Sequence, residues 1–168
     1  VILTQANIAA GEIVVDVETP PDGETLTVAA SLTDAAGNTS PITTVSAELD
    51  LTAPLAPTAD LAVDSGLPDD GSTNDGTVVI GGLEAGATFE YSTNGGATWT
   101  AGIGNSFVMP AAIYADGAVQ VRQIDLAGNT GAAVSLGPVT VDVTPPTPSI
   151  ELALDTGAEG DGLTSDGT

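Results

Sequence analysis

The sequence predicts an all-β protein built from repeated β-sandwich units. Short apolar stretches alternate with turn signals rich in Gly, Pro, Asn and Asp, and no segment shows a sustained helical period. Aromatic residues make up only 3% of the chain although hydrophobic residues make up 42%, which favours thin layers of Val, Ile, Leu and Ala side chains. Similar segments also recur at a constant spacing, which is typical of tandem domains.

Two independent pairs of segments define the repeat. The stretch Asp60–Gly66 (DLAVDSG) matches Glu151–Gly157 (ELALDTG), with corresponding residues 91 positions apart (151 minus 60). The stretch Thr33–Thr39 (TDAAGNT) matches Ile124–Thr130 (IDLAGNT) at the same spacing of 91 (124 minus 33). Agreement between two separate segments indicates a genuine duplication of about one domain.

The repeat divides the chain into three predicted units. The linker Asp50–Pro54 recurs as Asp142–Pro146, at a spacing of 92 (142 minus 50) that requires one inserted residue. We therefore expect residues 1–51 to be the C-terminal half of a first repeat, 52–144 a complete repeat, and 145–168 the N-terminal start of a third. The Pro-rich linkers favour extended backbone and are expected to act as short, semi-rigid spacers.

The complete repeat is predicted to be an immunoglobulin-like sandwich of antiparallel strands with Greek-key connections. About seven candidate strands fall in about ninety residues, which is the density of that fold. The sequence Asn94-Gly95-Gly96 predicts a tight turn that folds Tyr91 and Trp99 into one hairpin. The candidate strands are 59–63, 77–82, 88–92, 97–100, 106–109, 118–124 and 134–142.

The charge balance restricts the partners. The chain has one basic residue, Arg122, against 23 acidic residues, and its formal net charge is -22. Electrostatic repulsion therefore excludes nucleic acid and anionic membrane surfaces as partners. Such a chain becomes compact when salt screens its charge or when bound cations neutralise it. Because Cys is absent, calcium is the expected substitute for disulfides in stabilising an exported fold.

Acidic loops provide the candidate calcium ligands, because Ca²⁺ takes six to eight oxygen ligands from carboxylates, carbonyls and water. In the complete repeat they are a long loop, the linker acids and a hairpin loop, and equivalent residues occur in the partial repeats. The candidates are Asp64, Asp69, Asp70 and Asp75 in the long loop, Asp50 and Asp142 in the linkers, Asp125 and Asn129 in the hairpin loop, and Asp34, Asn38, Asp155, Asp161 and Asp166 in the other copies.

Sandwich topology predicts where these loops meet. The loop after the first strand leads to the exit end of a domain, whereas the last hairpin loop lies at the end where the chain enters. One predicted junction site combines Asp142 with the long loop, and the upstream site combines Asp50, Asp125 and Asn129. The alternative is that Asp and Asn beside Gly form turns by bonding their own backbone, and for Asp125 and Asn129 the two interpretations are equally weighted.

The chain resembles the immunoglobulin-like extender repeats of large RTX-type adhesins, which Gram-negative bacteria export by type I secretion. The resemblance covers essentially the whole chain and rests on four segments. It implies an extracellular stalk on the bacterial surface, in which junction calcium stiffens neighbouring repeats and supports adhesion or biofilm formation. The first partial repeat departs from the pattern between Gly11 and Glu24, so two repeat subtypes are expected. The four segments are 86–100, 121–129, 142–146 and 152–157.

Other functions fit the sequence less well. Without His, Cys or Lys, only carboxylates and hydroxyls remain for catalysis, so we expect no enzyme. A glycan- or ice-binding module would use Trp99, Tyr91 and Tyr114 or a Thr-rich face, although a lone Trp is more often part of the core or hairpin. A third alternative is an acidic surface-layer or filament subunit. The expected partners are neighbouring repeats, with lateral association of copies left open.

Overall fold

The computed structural model describes residues 13–150, and this part of the chain contains twelve β-strands and no helix. The predicted all-β class is therefore confirmed. The strands are short because turn residues interrupt the apolar stretches every few positions. In chain order they are β1 (Thr25–Ala30), β2 (Thr43–Glu48), β3 (Thr58–Leu61), β4 (Ser72–Thr73), β5 (Thr77–Gly81), β6 (Thr88–Ser92), β7 (Thr100–Ala101), β8 (Ser106–Val108), β9 (Ala112–Tyr114), β10 (Gln120–Ile124), β11 (Val134–Ser135) and β12 (Val139–Val141).

The strands form one separate hairpin and three small sheets. The hairpin is β1–β2, and the sheets have the orders β11-β10-β6-β7, β4-β12-β9 and β3-β5-β8. Neighbouring strands are antiparallel except for β4 and β12, which are parallel. The three sheets all lie in the predicted complete repeat, and they enclose one core, which is consistent with a β-sandwich.

The core is built by alternation along the strands, because successive strand residues point to opposite faces. In β5, Val78 and Ile80 are 0% and 3% exposed, whereas Val79 between them is 40% exposed. The largest fully buried side chain is Phe89 of β6, and burying a residue of this kind stabilises a fold by roughly 1.5–3 kcal/mol. The complete set of buried apolar residues is Val78, Ile80, Phe89, Phe107, Met109, Tyr114, Val119, Val121, Val139 and Val141.

The predicted strand 134–142 is wrong in one respect, because the structure divides it at Gly137 and Pro138. Strand β11 pairs with β10, whereas β12 pairs with β9 and β4 in a different sheet. Proline has no backbone N–H and cannot donate to a ladder, so an interruption here is expected on physical grounds. The chain uses this break to pass from one sheet to another.

Three short strands also differ from the prediction. Strands β4 and β9 were not predicted, because two or three residues are too few to show a period. The predicted strand 97–100 begins only at Thr100. The backbone N–H of Thr98 instead donates to Asn94 Oδ1 at 2.9 Å, so this part of the chain closes the turn. The predicted hairpin is present, with Tyr91 opposite Thr100 and positive φ at Gly95 and Gly96.

The separate hairpin has the same register as part of the complete repeat. Ala29 of β1 pairs with Thr44 of β2, and Gln120 of β10 pairs with Ser135 of β11, so both partners shift by 91 residues (120 minus 29, 135 minus 44). The duplication seen in the sequence is therefore also a duplication of strand pairing. Strand β10 pairs with β11 along one edge and with β6 along the other. Strand β1 pairs with β2 along one edge, and no described residue pairs with its other edge.

Candidate metal sites at the repeat junctions

Both copies of the Asp-x-x-Gly-Asn loop have the same hydrogen bonds between the Asp and the Asn. In the second copy, Asp125 Oδ1 accepts the Asn129 backbone N–H at 2.8 Å, and Asp125 Oδ2 accepts Asn129 Nδ2 at 2.9 Å. In the first copy, the corresponding distances from Asp34 to the backbone and side chain of Asn38 are 2.9 and 2.8 Å. Each Asp therefore closes its own loop, which is what the turn-forming interpretation predicts.

These hydrogen bonds also shift the pKa of both loop carboxyls. Hydrogen bonds from the Asn38 side chain and backbone hold the pKa of Asp34 below its ordinary value. Partial burial raises the pKa of Asp125, but donors from Asn129 and the neighbouring backbone outweigh it, and the net shift is downward. Both groups are therefore anionic at neutral pH, the form that a cation requires.

The second loop contacts the linker, as the sequence predicted for the upstream junction. Asn129 Nδ2 donates to the backbone carbonyl of Asp50 at 3.0 Å, so Asp50, Asp125 and Asn129 lie together. The contact joins an amide N–H to a carbonyl, and in both residues it is the oxygen, not the N–H, that can serve as a calcium ligand.

A cleft of about 610 Å³ lies at the same junction. Three of its lining residues are acidic: Asp22, Glu48 and Asp50. The sequence interpretation missed the first two, because the stretch that contains Asp22 does not match the complete repeat. The one available signal was Asp22-Gly23, which forms a turn with φ of 76° at the glycine. The other lining residues are Gly23, Leu49, Thr52, Leu126 and Ala127.

The long acidic loop is organised by hydrogen bonds that its carboxylates accept from its own backbone. Asp64 Oδ2 accepts the N–H of Asp69 at 2.6 Å, and Asp70 Oδ1 accepts that of Ser72 at 2.7 Å. Asp75 Oδ1 accepts both the hydroxyl and the N–H of Thr77, and these bonds lower its pKa. Three of the four predicted ligands thus shape this loop through their carboxylates, whereas Asp69 contributes its backbone, which donates to Asp64 and adopts a φ of 62°.

Thr73 brings the long loop and the linker acid together. Its side chain is buried, and its hydroxyl donates to the carbonyl of Val63 at 2.8 Å and accepts the N–H of Asp75 at 3.0 Å. Its own carbonyl accepts the N–H of Asp142 at 2.9 Å. The backbone therefore places the long loop beside Asp142, which is the arrangement predicted for the downstream junction.

The carboxylates themselves do not converge in this arrangement. Within residues 13–150, no three acidic side chains come close enough together to hold a metal ion. Asp64, Asp69, Asp70 and Asp142 are exposed and Asp75 is half-buried, and the carboxylates of Asp64, Asp70 and Asp75 accept hydrogen bonds within the loop. Asp155, Asp161 and Asp166, the predicted ligands of the third repeat, lie outside the described residues.

The three aromatic residues considered for ligand stacking do not share an exposed face. Tyr91 stacks inward on Phe107 with ring centroids 4.0 Å apart and planes 9° apart. Tyr114 is 8% exposed, and its hydroxyl donates to the Pro110 carbonyl at 2.9 Å. Only Trp99 remains on the outer surface, where it is half-buried.

The chain matches no protein-family model, and no curated protein matches it. In the described part of the chain, no helix is long and apolar enough to span a membrane. What these observations define is a class of architecture: an all-β protein with duplicated hairpins and acidic loops at the junction between two copies.

Proposed function

We propose that this chain is an extender segment of a repetitive bacterial surface adhesin, stiffened by Ca²⁺ bound at the junctions between its repeats. It would act outside the cell as part of a stalk in adhesion or biofilm formation, with neighbouring repeats as its partners. The observation that carries the proposal is the duplicated hairpin, which recurs with the same register and loop hydrogen bonds after 91 residues (120 minus 29). Such duplication is what a tandem extender requires.

The immunoglobulin-like topology belongs to this proposal. Its support is the number of short strands in the complete repeat and the passage of the chain between sheets at Pro138. In that topology, the loop containing Asp125 would lie at the end where the chain enters, and its contact with the linker at Asp50 agrees with that placement.

Electrostatics support calcium at the junctions. Arg122 is the only basic side chain of the chain, and it already pairs with Glu90 at 2.7 Å. No lysine or arginine is therefore left to neutralise Asp22, Glu48 and Asp50 at the junction cleft. A divalent cation would remove this repulsion, and small rotations of exposed carboxylates would supply its oxygen ligands.

Thermal unfolding tests the proposal. The chain should be melted in EDTA, in millimolar CaCl₂ and in NaCl of equal ionic strength, with small-angle scattering to measure its length. A calcium-specific rise in melting temperature is expected, because a ligand that binds only the native state stabilises it. Equal effects of CaCl₂ and NaCl would contradict calcium binding.

A matched pair of variants locates the downstream site. Asp64→Asn removes one charge from the long loop, whereas Asp60→Asn removes one from the exposed face of β3. We expect the first variant to reduce the calcium-induced rise and the second to preserve it. If both variants respond to calcium like the parent chain, the long loop is not the site.

One observation bears on the glycan-binding alternative. Trp99 is the only candidate stacking residue at the surface, and the guanidinium of Arg122 already lies over its ring. A sugar would have to displace this contact, so the structure favours the extender over the glycan-binding module. The surface-layer alternative predicts a response to monovalent salt without calcium specificity, and the same melting series tests it.

A further inference from the structure

The linker between the hairpin and the complete repeat, residues 50–55, is hydrogen-bonded on both sides. From the hairpin side, Asp22 accepts the backbone N–H of Leu51 at 2.6 Å and the hydroxyl of Thr52. These two bonds lower the pKa of Asp22, with the Thr52 hydroxyl as the larger cause. The linker is therefore anchored to the hairpin by a carboxylate that is anionic at neutral pH.

On the other side, two amide side chains of the complete repeat donate hydrogen bonds to backbone carbonyls of the linker. Asn129 donates to Asp50 at 3.0 Å, and Gln123 donates to Leu55 at 2.7 Å. Gln123 is 0% exposed, and its Oε1 accepts the N–H of Glu84 at 2.9 Å. Its Nε2 also donates to the Gly82 carbonyl at 3.3 Å, so loss of the Leu55 carbonyl would leave one of its two N–H groups unpaired, which is costly for a buried amide.

A glycine leaves room for the linker between these two contacts. A Cβ atom added at Gly131 would lie 2.6 Å from the Pro54 carbonyl oxygen, and Gly131 is itself buried. The linker backbone therefore packs where any other residue would place a side chain. Pro54 is also buried, so the linker is part of the packed structure at this point.

Comparison of the two loop copies separates the residues that form the loop from those that hold the linker. The first copy retains Asp34 and Asn38 with the same loop hydrogen bonds. However, it has Leu32 and Ser40 at the positions of Gln123 and Gly131, 91 residues earlier (123 minus 32, 131 minus 40). The loop therefore forms without Gln and Gly, and in the second copy both residues lie against the linker.

We propose that Gln123, Asn129 and Gly131 form a receptor for the extended Asp-x-Thr-x-Pro linker, and that this receptor sets the junction geometry without a cation. Asp125 is a positioning residue, because it orients the Asn129 amide at 2.9 Å. The inference rests on the proposed tandem extender and adds a second source of stiffness to it. The ligand of this receptor is an extended backbone segment that contains proline.

The downstream linker has the conformation that such a receptor would bind. The N–H of Thr144 donates to Asp142 Oδ1 at 2.8 Å, as the N–H of Thr52 donates to Asp50 Oδ1 at 3.0 Å. Both linkers therefore begin with the same local turn. Asp142–Pro146 would therefore be the corresponding ligand for any repeat that has Gln, Asn and Gly at the positions of Gln123, Asn129 and Gly131.

The test compares Asn129→Ala with Asn38→Ala in the full chain. Each variant removes an amide that bonds its own loop Asp, but only Asn129 also contacts the linker. Because the chain has no Cys, Ser46→Cys and Ala111→Cys provide unique sites for spin labels on the hairpin and the sandwich. Double electron–electron resonance then measures the distribution of distances between them.

In EDTA we expect a narrow distribution for the parent chain and for Asn38→Ala, and loss of the narrow peak for Asn129→Ala. Gly131→Ser, which introduces the residue found at this position in the first copy, is also expected to broaden the distance distribution. Urea unfolding of each variant verifies that the sandwich remains folded. Identical distributions for Asn129→Ala and Asn38→Ala would overturn the inference.

Adding CaCl₂ separates this inference from the proposed function. A parent chain that is broad in EDTA and narrows only with calcium would overturn the receptor and leave calcium stiffening intact. A parent chain that is narrow in EDTA, with no response of width or melting temperature to calcium, would support the receptor and contradict calcium binding.

Discussion

The guanidinium of Arg122 lies 4.1 Å from the centre of the Trp99 ring, so the only basic side chain of the protein covers its only tryptophan. The same guanidinium donates two hydrogen bonds to Glu90, at 2.9 and 2.7 Å. These contacts join β6, β10 and the residue before β7 on the outer face of one sheet. The sole basic side chain is thereby paired with Glu90, and it is not among the residues that line the junction cleft.

Replacing Arg122 with Met should destabilise the fold by about 1–2 kcal/mol, because both the ion pair and the cation–π contact are lost from a half-buried position. Arg122→Lys keeps the charge but cannot reproduce the two-pronged bond, so an intermediate loss is expected. Urea unfolding followed by Trp99 fluorescence measures both. If Arg122→Met is as stable as the parent chain, the contact contributes nothing to stability.

Gly102→Ala should destabilise the fold by about 2 kcal/mol or more, because the new methyl group would overlap the buried ring of Phe89. Gly137→Ala is the matched control, since an added Cβ there meets no atom within 4 Å and the backbone does not require a left-handed conformation. Chemical denaturation of the two variants should separate them clearly. Equal stability would mean that the core accommodates the methyl group by moving the ring.

Asp75 should make a pH-dependent contribution to stability. Its pKa is lowered by the hydroxyl and N–H of Thr77, so its contribution is fully present above the unfolded value of about 3.9 and is lost as the pH falls through the folded value. The stability difference between the parent chain and Asp75→Asn should therefore shrink on acidification. Comparing the two proteins cancels the general relief of charge repulsion at low pH. A difference that stays constant from pH 6 to pH 2 would contradict this role.

Thr73→Val should destabilise the sandwich by about 1–3 kcal/mol, because the buried hydroxyl bonds to the Val63 carbonyl and the Asp75 N–H. Thr140→Val is the control: Thr140 lies on the paired strand β12, and its side chain makes no hydrogen bond to another residue within 13–150. Thr73→Val should also weaken any calcium response of the downstream junction, because it loosens the contact between the long loop and Asp142. Melting curves with and without calcium measure both effects.

The sequence by itself determined the all-β class, the hairpin at Asn94-Gly95-Gly96 and the spacing of 91 residues (124 minus 33) between duplicated segments. These features are local or periodic, so the identity of the residues is enough to predict them. The sequence also placed Asp125 and Asn129 in one loop near Asp50, and the structure has a hydrogen bond between Asn129 and Asp50, whereas the metal site expected there stays a prediction.

Only the tertiary structure decided how the polar groups pair. From the sequence, Gln123 was expected to be an ordinary strand residue. It is fully buried, and its side chain donates to the carbonyl of Leu55, 68 residues earlier in the chain (123 minus 55). Asp22 and Asp50 line one cleft although 28 residues separate them (50 minus 22). Such contacts depend on how elements distant in the sequence pack against each other. A pattern of residue types along the chain does not specify that packing.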